Sequence, residues 1–98
     1  MNYLDIYKDQ TILVTGGAGA IGSNLSRTMA EAGAAKVIIL DDLSASYKWN
    51  IPNLPNVLFV EGSITNVIDL KRVFHEKPTY IFHLAAFFPN QNSVDYPE

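Results

Sequence analysis

Apolar and polar positions along the chain sort it into short blocks of alternating type. Thr11-Ile12-Leu13-Val14-Thr15 is a β-branched apolar run without alternation, which predicts a strand buried on both faces, as parallel strands are. From Ala20 the spacing becomes helical: Ile21, Leu25 and Met29 recur at i, i+4 and i+8, and Gly33 closes the segment as a C-terminal cap. Lys36 to Leu40 reads as a second buried strand, ended by Asp41 and Asp42. Pro52 and Pro55 prevent a long helix in the irregular stretch from Ser44 to Pro55. Val57 to Val60 predicts a third strand. Thr65 or Asn66 can then cap a helix that carries Val67, Leu70, Val73 and Phe74 on one side and stops at Lys77-Pro78. Tyr80 to Leu84 predicts a fourth strand.

Short buried strands that alternate with helices predict an α/β fold with a parallel sheet. Right-handed crossovers would put helices on both faces, in the Rossmann-type doubly wound arrangement with strand order 3-2-1-4. That sheet would be incomplete. The fourth strand would lack its next parallel neighbour, and Asp95-Tyr96-Pro97-Glu98 has the character of a helix start. The expectation is that residues 1–98 form the N-terminal part of a dinucleotide-binding domain, with a catalytic and substrate-binding remainder in a longer chain.

Composition narrows the classes of function. The 98 residues include no cysteine, which removes disulfides and thiolate metal sites. The first ten residues carry Asp5, Lys8 and Asp9 and lack the pattern of a signal peptide. No apolar run has the length of a membrane span, so the expectation is a cytoplasmic protein without a membrane partner. A net charge of −3 argues against nucleic acid, whose phosphates call for clustered Lys and Arg. Charged residues make up 17% of the chain, below the roughly 25% usual for soluble domains, as expected of a surface that faces more protein.

The chemistry concentrates in Thr15-Gly16-Gly17-Ala18-Gly19-Ala20-Ile21-Gly22, between the first strand and the first helix. It fits Gly-x-x-Gly-x-x-Gly on Gly16, Gly19 and Gly22, and Gly-x-Gly-x-x-Gly on Gly17, Gly19 and Gly22. The first glycine permits a sharp turn, Gly19 lets a pyrophosphate approach the backbone, and Gly22 lets helix and sheet pack closely. Free amides at the helix start face the phosphates. Asp41 follows Gly22 by 19 residues, the spacing of a carboxylate that bonds the adenosine ribose. A carboxylate there repels a 2′-phosphate, so NAD is favoured over NADP. Asp42 competes for the role, with one of the two directed to solvent. No Lys-Ser/Thr pair follows the last glycine, so the loop is not a Walker A motif.

With these residues in place, the chain resembles the extended short-chain dehydrogenase/reductase family, in its branch of NAD-dependent sugar-nucleotide epimerases and dehydratases. The shared segments are the glycine turn, Leu40-Asp41-Asp42-Leu43-Ser44, Glu61-Gly62-Ser63-Ile64 and His83-Leu84-Ala85-Ala86. The resemblance implies that Gly16, Gly19, Ala20 and Ile21 line the pyrophosphate and that Asp41 takes the ribose, flanked by Asp42 through Ser46, including Ser44. It implies that Ser63 and Ile64 lie by the adenine, that Leu84, Ala85 and Ala86 pass under the nicotinamide-side ribose, and that Phe87-Phe88 begin the loop facing substrate. It further implies a nucleotide-sugar substrate and pairing as a homodimer. Ser63 departs from the family, which usually has Asp there. The family's Tyr-x-x-x-Lys pair is absent from this sequence, since the residues four places after Tyr3, Tyr7, Tyr47 and Tyr80 are Tyr7, Thr11, Ile51 and Leu84. No catalytic residue and no metal ligand is therefore assigned. A non-catalytic NAD(P)-binding regulator on the same fold stands as the alternative. His75 and His83 read as structural, Phe87 and Phe88 as packing, and Trp49 either as a cover on the adenosine edge or as a loop anchor.

Overall fold

Parallel strands need a crossover of about a dozen residues or more, and the connections over residues 16–35, 42–56 and 62–79 all meet that length. The computed structural model describes residues 3–44 and 46–84. Its elements are β1 (Thr11–Thr15), α1 (Ala20–Glu31), β2 (Lys36–Asp41), β3 (Val57–Glu61), α2 (Val67–Phe74) and β4 (Tyr80–His83). The four strands form one parallel sheet in the order β3-β2-β1-β4, as the alternation of blocks predicts. β2 and β3 each run one residue past their apolar blocks, to Asp41 and Glu61. β4 ends at His83.

The central strands are buried on both faces, which is why their sequences do not alternate. Ile12, Val14 and Val37 pack with Met29 and Ala30 of α1, while Leu13, Ile38, Leu40 and Val60 pack with Val73 of α2. Fully burying each large aliphatic side chain contributes about 1.5–3 kcal/mol before the entropy of ordering the chain.

Both helices keep part of the face that the spacing predicts, Leu25 and Met29 in α1 and Leu70 and Val73 in α2 packing on the core, and depart from it in the rest. In α1 the buried face is Gly22, Ser23, Ser26, Met29 and Ala30. Ile21 is 75% exposed. The close approach at Gly22 sets the rotation of the helix, and small residues follow on that face. In α2, Val73 is buried and Leu70 packs beside it, but Val67 and Phe74 are largely exposed. Eight residues bring about one turn onto the sheet, and those two side chains fall on its flanks. Asn66 rather than Thr65 caps α2, its side chain accepting from the Asp69 N–H at 3.1 Å.

Two short 3-10 turns, Tyr3–Tyr7 and Lys48–Asn50, carry no periodic signal. In the first, the Tyr7 ring meets Tyr80 and Phe82 edge-on, at centroid distances of 5.0 and 5.8 Å. Among the described residues β4 is an edge of the sheet, and Ile81 on it is 51% exposed. No helix among the described residues is long and apolar enough to cross a membrane.

The start of β2 is tied to the end of α2 by Lys36 Nζ, which donates to Glu76 Oε1 at 2.6 Å. That bond holds the Glu76 carboxyl below its ordinary 4.5. Its stabilisation is complete above the ordinary value and fades as pH falls through the lower, folded value. Glu76→Gln is therefore expected to reduce the urea midpoint slightly at neutral pH, with the two midpoints converging once Glu76 is protonated. Urea titrations at the two pH values check this; a difference that persisted in acid would locate the effect in packing.

Candidate functional site

Three segments meet at the carboxyl ends of β1, β2 and β3, where open α/β sheets hold ligands. The first is the glycine turn. Gly16 has φ +78°, a left-handed backbone that disfavours a Cβ, so the Gly16-Gly19-Gly22 frame carries the sharp turn. Gly17 serves a different end: a Cβ there would lie 2.6 Å from Ile39 Cγ2. At Gly22 it would overlap the Gly16 carbonyl oxygen and stand 2.7 Å from Gly17 Cα. At Gly19 it would meet Gly16 O at 3.5 Å, an ordinary contact, and φ there is −74°. Three glycines of the turn are thus required by the chain itself, and Gly19 is not.

Gly19 is also the N-cap of α1. No side chain caps this helix end, and no acidic residue occupies its first turn. The first helical bond runs from the Ser23 N–H to Gly19 O at 2.8 Å. The N–H groups of Ala20, Ile21 and Gly22 precede it, at the positive end of the helix dipole.

The second segment is the end of β2. Asp41 is 9% exposed, and its carboxylate closes the glycine turn: Oδ2 accepts from the Ala18 N–H at 3.0 Å. Oδ1 accepts from the Leu43 N–H at 2.7 Å, and Ser46 Oγ lies 3.1 Å from both oxygens. Leu43 takes φ +63°, uncommon for a side chain of its size, and so reverses the chain back toward Asp41. Asp42 is exposed, and bonds from Ser44 hold its carboxyl below the usual range. Of the two neighbouring carboxylates, Asp41 turns onto the glycine turn and Asp42 faces solvent together with Ser44.

The third segment is the loop after β3. The Gly62 N–H donates to Asp41 O at 3.1 Å, which places the loop beside the end of β2. Ser63 Oγ and Thr65 Oγ1 are 2.7 Å apart, and Ser63 Oγ also accepts from the Thr65 N–H at 3.1 Å. Ile64 turns inward and packs against Val73 and its neighbours. At the far edge, Thr15 Oγ1 and His83 Nδ1 are 2.8 Å apart, so His83 is the hydrogen-bonded residue its position suggests. Leu84 follows, its N–H donating to Thr15 O at 2.8 Å. Ala85, Ala86, Phe87, Phe88 and the helix start at Pro97 lie outside the described residues.

The fold adds partners that sequence spacing does not reveal. Asn50 Nδ2 donates to Ala18 O at 3.1 Å, clamping the irregular stretch onto the glycine turn. Trp49 and Tyr47 stack at 4.5 Å on the exposed side of that stretch. Asp69 Oδ2 accepts from the Ser63 N–H at 3.0 Å. The bonds of Asn50 and Asp69 run through single polar atoms, across 32 and six residues of chain, with no repeating pattern to announce them. No group of three or more His, Cys, Asp or Glu that could hold a metal occurs among the described residues.

Residues 12–98 match the model of the NAD dependent epimerase/dehydratase family. Among solved structures, an epimerase from Methanothermobacter thermautotrophicus is 58% identical with a TM-score of 0.85, over 96% of this chain and 28% of that one. The Bordetella bronchiseptica enzyme WbmF, solved in complex with NAD+, is 37% identical with a TM-score of 0.78, over 94% of this chain and 28% of its own. The UDP-glucose 4-epimerase of Streptomyces lividans is 34% identical over 88 residues, which are 88% of this chain and 26% of that protein. The chain thus spans about a quarter of the length of the relatives it matches.

Proposed function

The chain belongs to the NAD dependent epimerase/dehydratase family, and from that premise we propose that it holds NAD by the adenosine diphosphate half, as the N-terminal part of the dinucleotide-binding domain of a nucleotide-sugar epimerase or dehydratase. The observation that carries the reading is the pairing of an uncapped helix start at Gly19 with the Asp41 carboxylate at the next strand end. The two features match the two ends of an adenosine diphosphate: one suits an anion and the other a pair of hydroxyls.

The site residues act as follows in this reading. The amides of Ala20, Ile21 and Gly22 donate to the pyrophosphate, and Gly19 lets it reach them. An ionised carboxylate offers about four acceptor positions. Asp41 uses two for the Ala18 and Leu43 N–H groups, which fix its orientation, and a ribose hydroxyl can take a third and compete with Ser46 for the fourth. Ser44 and Asp42 flank the ribose from the solvent side. Leu84 follows the Thr15–His83 pair on the nicotinamide side of the sheet, and in this reading Ala85 and Ala86 are assigned to the same ribose. Bound NAD would supply the redox chemistry, taking a hydride from the sugar and returning it. The chain spans about a quarter of the length of its relatives, and we assign it no acid/base residue of that reaction.

Asp41→Asn tests the reading, because it keeps the shape and the acceptor for Ala18 while removing the charge and the acceptor for the Leu43 N–H. The expected result in the full-length protein is NAD affinity lower by about tenfold, the scale of a charge-assisted hydrogen bond reduced to a neutral one. NADP should bind nearly as well as NAD to the variant, because the repulsion of its 2′-phosphate is gone. Calorimetric titration with both dinucleotides, followed by assay of nucleotide-sugar turnover, checks this. An unchanged ratio of the two affinities would overturn the role of Asp41. NAD binding without turnover of any nucleotide sugar would favour a regulatory protein.

A further inference from the structure

The loop after β3 offers an unusual way of reading a base, and the argument rests on the NAD site just proposed. Sheet order fixes where the base goes. With the pyrophosphate at the turn after β1 and the ribose at the end of β2, the purine continues away from the phosphates toward the end of β3. The loop there begins with Gly62, bonded to Asp41 O, and continues through the exposed hydroxyl pair of Ser63 and Thr65.

The hydrogen bonds of that pair can be counted. A hydroxyl has one O–H and two lone pairs. Ser63 Oγ already accepts from the Thr65 N–H, and one hydroxyl of the pair donates to the other across 2.7 Å. If Thr65 donates, Ser63 keeps a free O–H and Thr65 keeps free lone pairs. If Ser63 donates, Thr65 keeps a free O–H and Ser63 keeps a free lone pair. Either way the pair presents one donor and at least one acceptor, exchanged by rotating two bonds. The neighbouring carboxylate of Asp69 is committed inward: Oδ2 takes the Ser63 N–H and Oδ1 faces Arg72 at 3.7 Å. Glu61 ends β3 before the loop turns and is no part of the pair.

We infer that Ser63 and Thr65 read the 6-position of the purine in either hydrogen-bonding sense, so that the site accepts a 6-oxo purine dinucleotide about as well as the 6-amino one. A carboxylate at position 63 would be acceptor-only and would favour the amino group while repelling the oxo group.

The test is direct titration of the full-length protein with NAD and with nicotinamide hypoxanthine dinucleotide, which differ in the 6-substituent and in the proton that the 6-oxo base carries on N1; Ser63→Asp shows whether position 63 is what reads the difference. The expected result is a preference of less than about fivefold in the wild type. In Ser63→Asp the preference for NAD should rise to about tenfold or more, the scale of a charge-assisted bond gained by one ligand and denied to the other. A wild-type preference above fivefold overturns the inference, whichever carboxylate is responsible. Equal affinities that Ser63→Asp leaves equal also overturn it, since the base would then not be read in this loop. Failure of both dinucleotides to bind overturns the NAD site itself and this inference with it. The wild-type comparison stands without any variant, and thermal unfolding of Ser63→Asp verifies that the substitution at this half-buried position leaves the fold intact.

Discussion

Gly22→Ala is expected to destabilise the protein by about 3 kcal/mol or more, the upper range for inserting a methyl group into a packed site. The reason is the identity of the neighbours. The added Cβ would overlap Gly16 O and stand 2.7 Å from Gly17 Cα, and both atoms are backbone. A side chain could rotate away, but the Gly16 carbonyl is held. It accepts from the Gly19 N–H at 3.2 Å, while the Gly16 N–H donates to Leu40 O at 2.8 Å. Relief therefore requires α1 to withdraw from β1, opening the packing of Met29 and Ala30 on Ile12 and Val14. The urea unfolding midpoint of the variant, with circular dichroism to verify helix content, measures the cost. A loss below about 1 kcal/mol would mean that the turn relaxes locally and that the closeness of α1 to the sheet is not fixed at Gly22.

The sheet is the part of the molecule most legible in the sequence, and the reason is physical. Ile12 to Val14 and Val37 to Leu40 are buried on both faces, so their runs are unbroken, and the long connections leave parallel pairing as the solution. Rotation of the helices is less legible. Ile21, Val67 and Phe74 satisfy helical spacing yet lie outside, because Gly22 and the shortness of α2 decide which face meets the sheet. Ile21 at the helix start is 75% exposed, so it misleads as a core marker. Tyr3–Tyr7 escapes notice because a 3-10 turn of five residues has no period to detect.

Within the site the distinction follows the same line. Spacing brings Gly16, Gly19, Gly22 and Asp41 to one end of the sheet, but it cannot choose between Asp41 and Asp42. The choice is made by the pleat: Asp41 continues β2 in register with Glu61, and its side chain falls on the Ala18 amide, whereas Asp42 has left the ladder. Asn50 acts through a bond across 32 residues to Ala18 O, and Asp69 through one across six residues to the Ser63 N–H. Asn56 does likewise at the end of α1, where Nδ2 donates to the carbonyls of Ala30 and Ala34 at 3.0 and 2.9 Å. Contacts of this kind depend on where the fold carries a residue and leave no local pattern.

Gly19→Val separates the needs of the fold from those of the ligand. The backbone at Gly19 is extended, with φ −74° and ψ 173°, a conformation that valine adopts readily. The space beside it is bounded by Gly16 O at 3.5 Å, so the chain tolerates a Cβ. Stability is expected to change by no more than about 1 kcal/mol, the cost of losing glycine at an N-cap. The cofactor fares differently. An isopropyl group at the start of α1 stands between the pyrophosphate and the amides of Ala20, Ile21 and Gly22, and two or three charge-assisted bonds are lost together. At about 1.5 kcal/mol or more each, NAD affinity should fall at least about 100-fold. Thermal unfolding and calorimetric titration on the same preparation read both quantities. Unaltered unfolding with lost binding would assign Gly19 to the ligand. Unaltered binding would move the pyrophosphate away from α1 and overturn the NAD site, and a collapse of stability would show that Gly19, like Gly22, serves the packing of the turn.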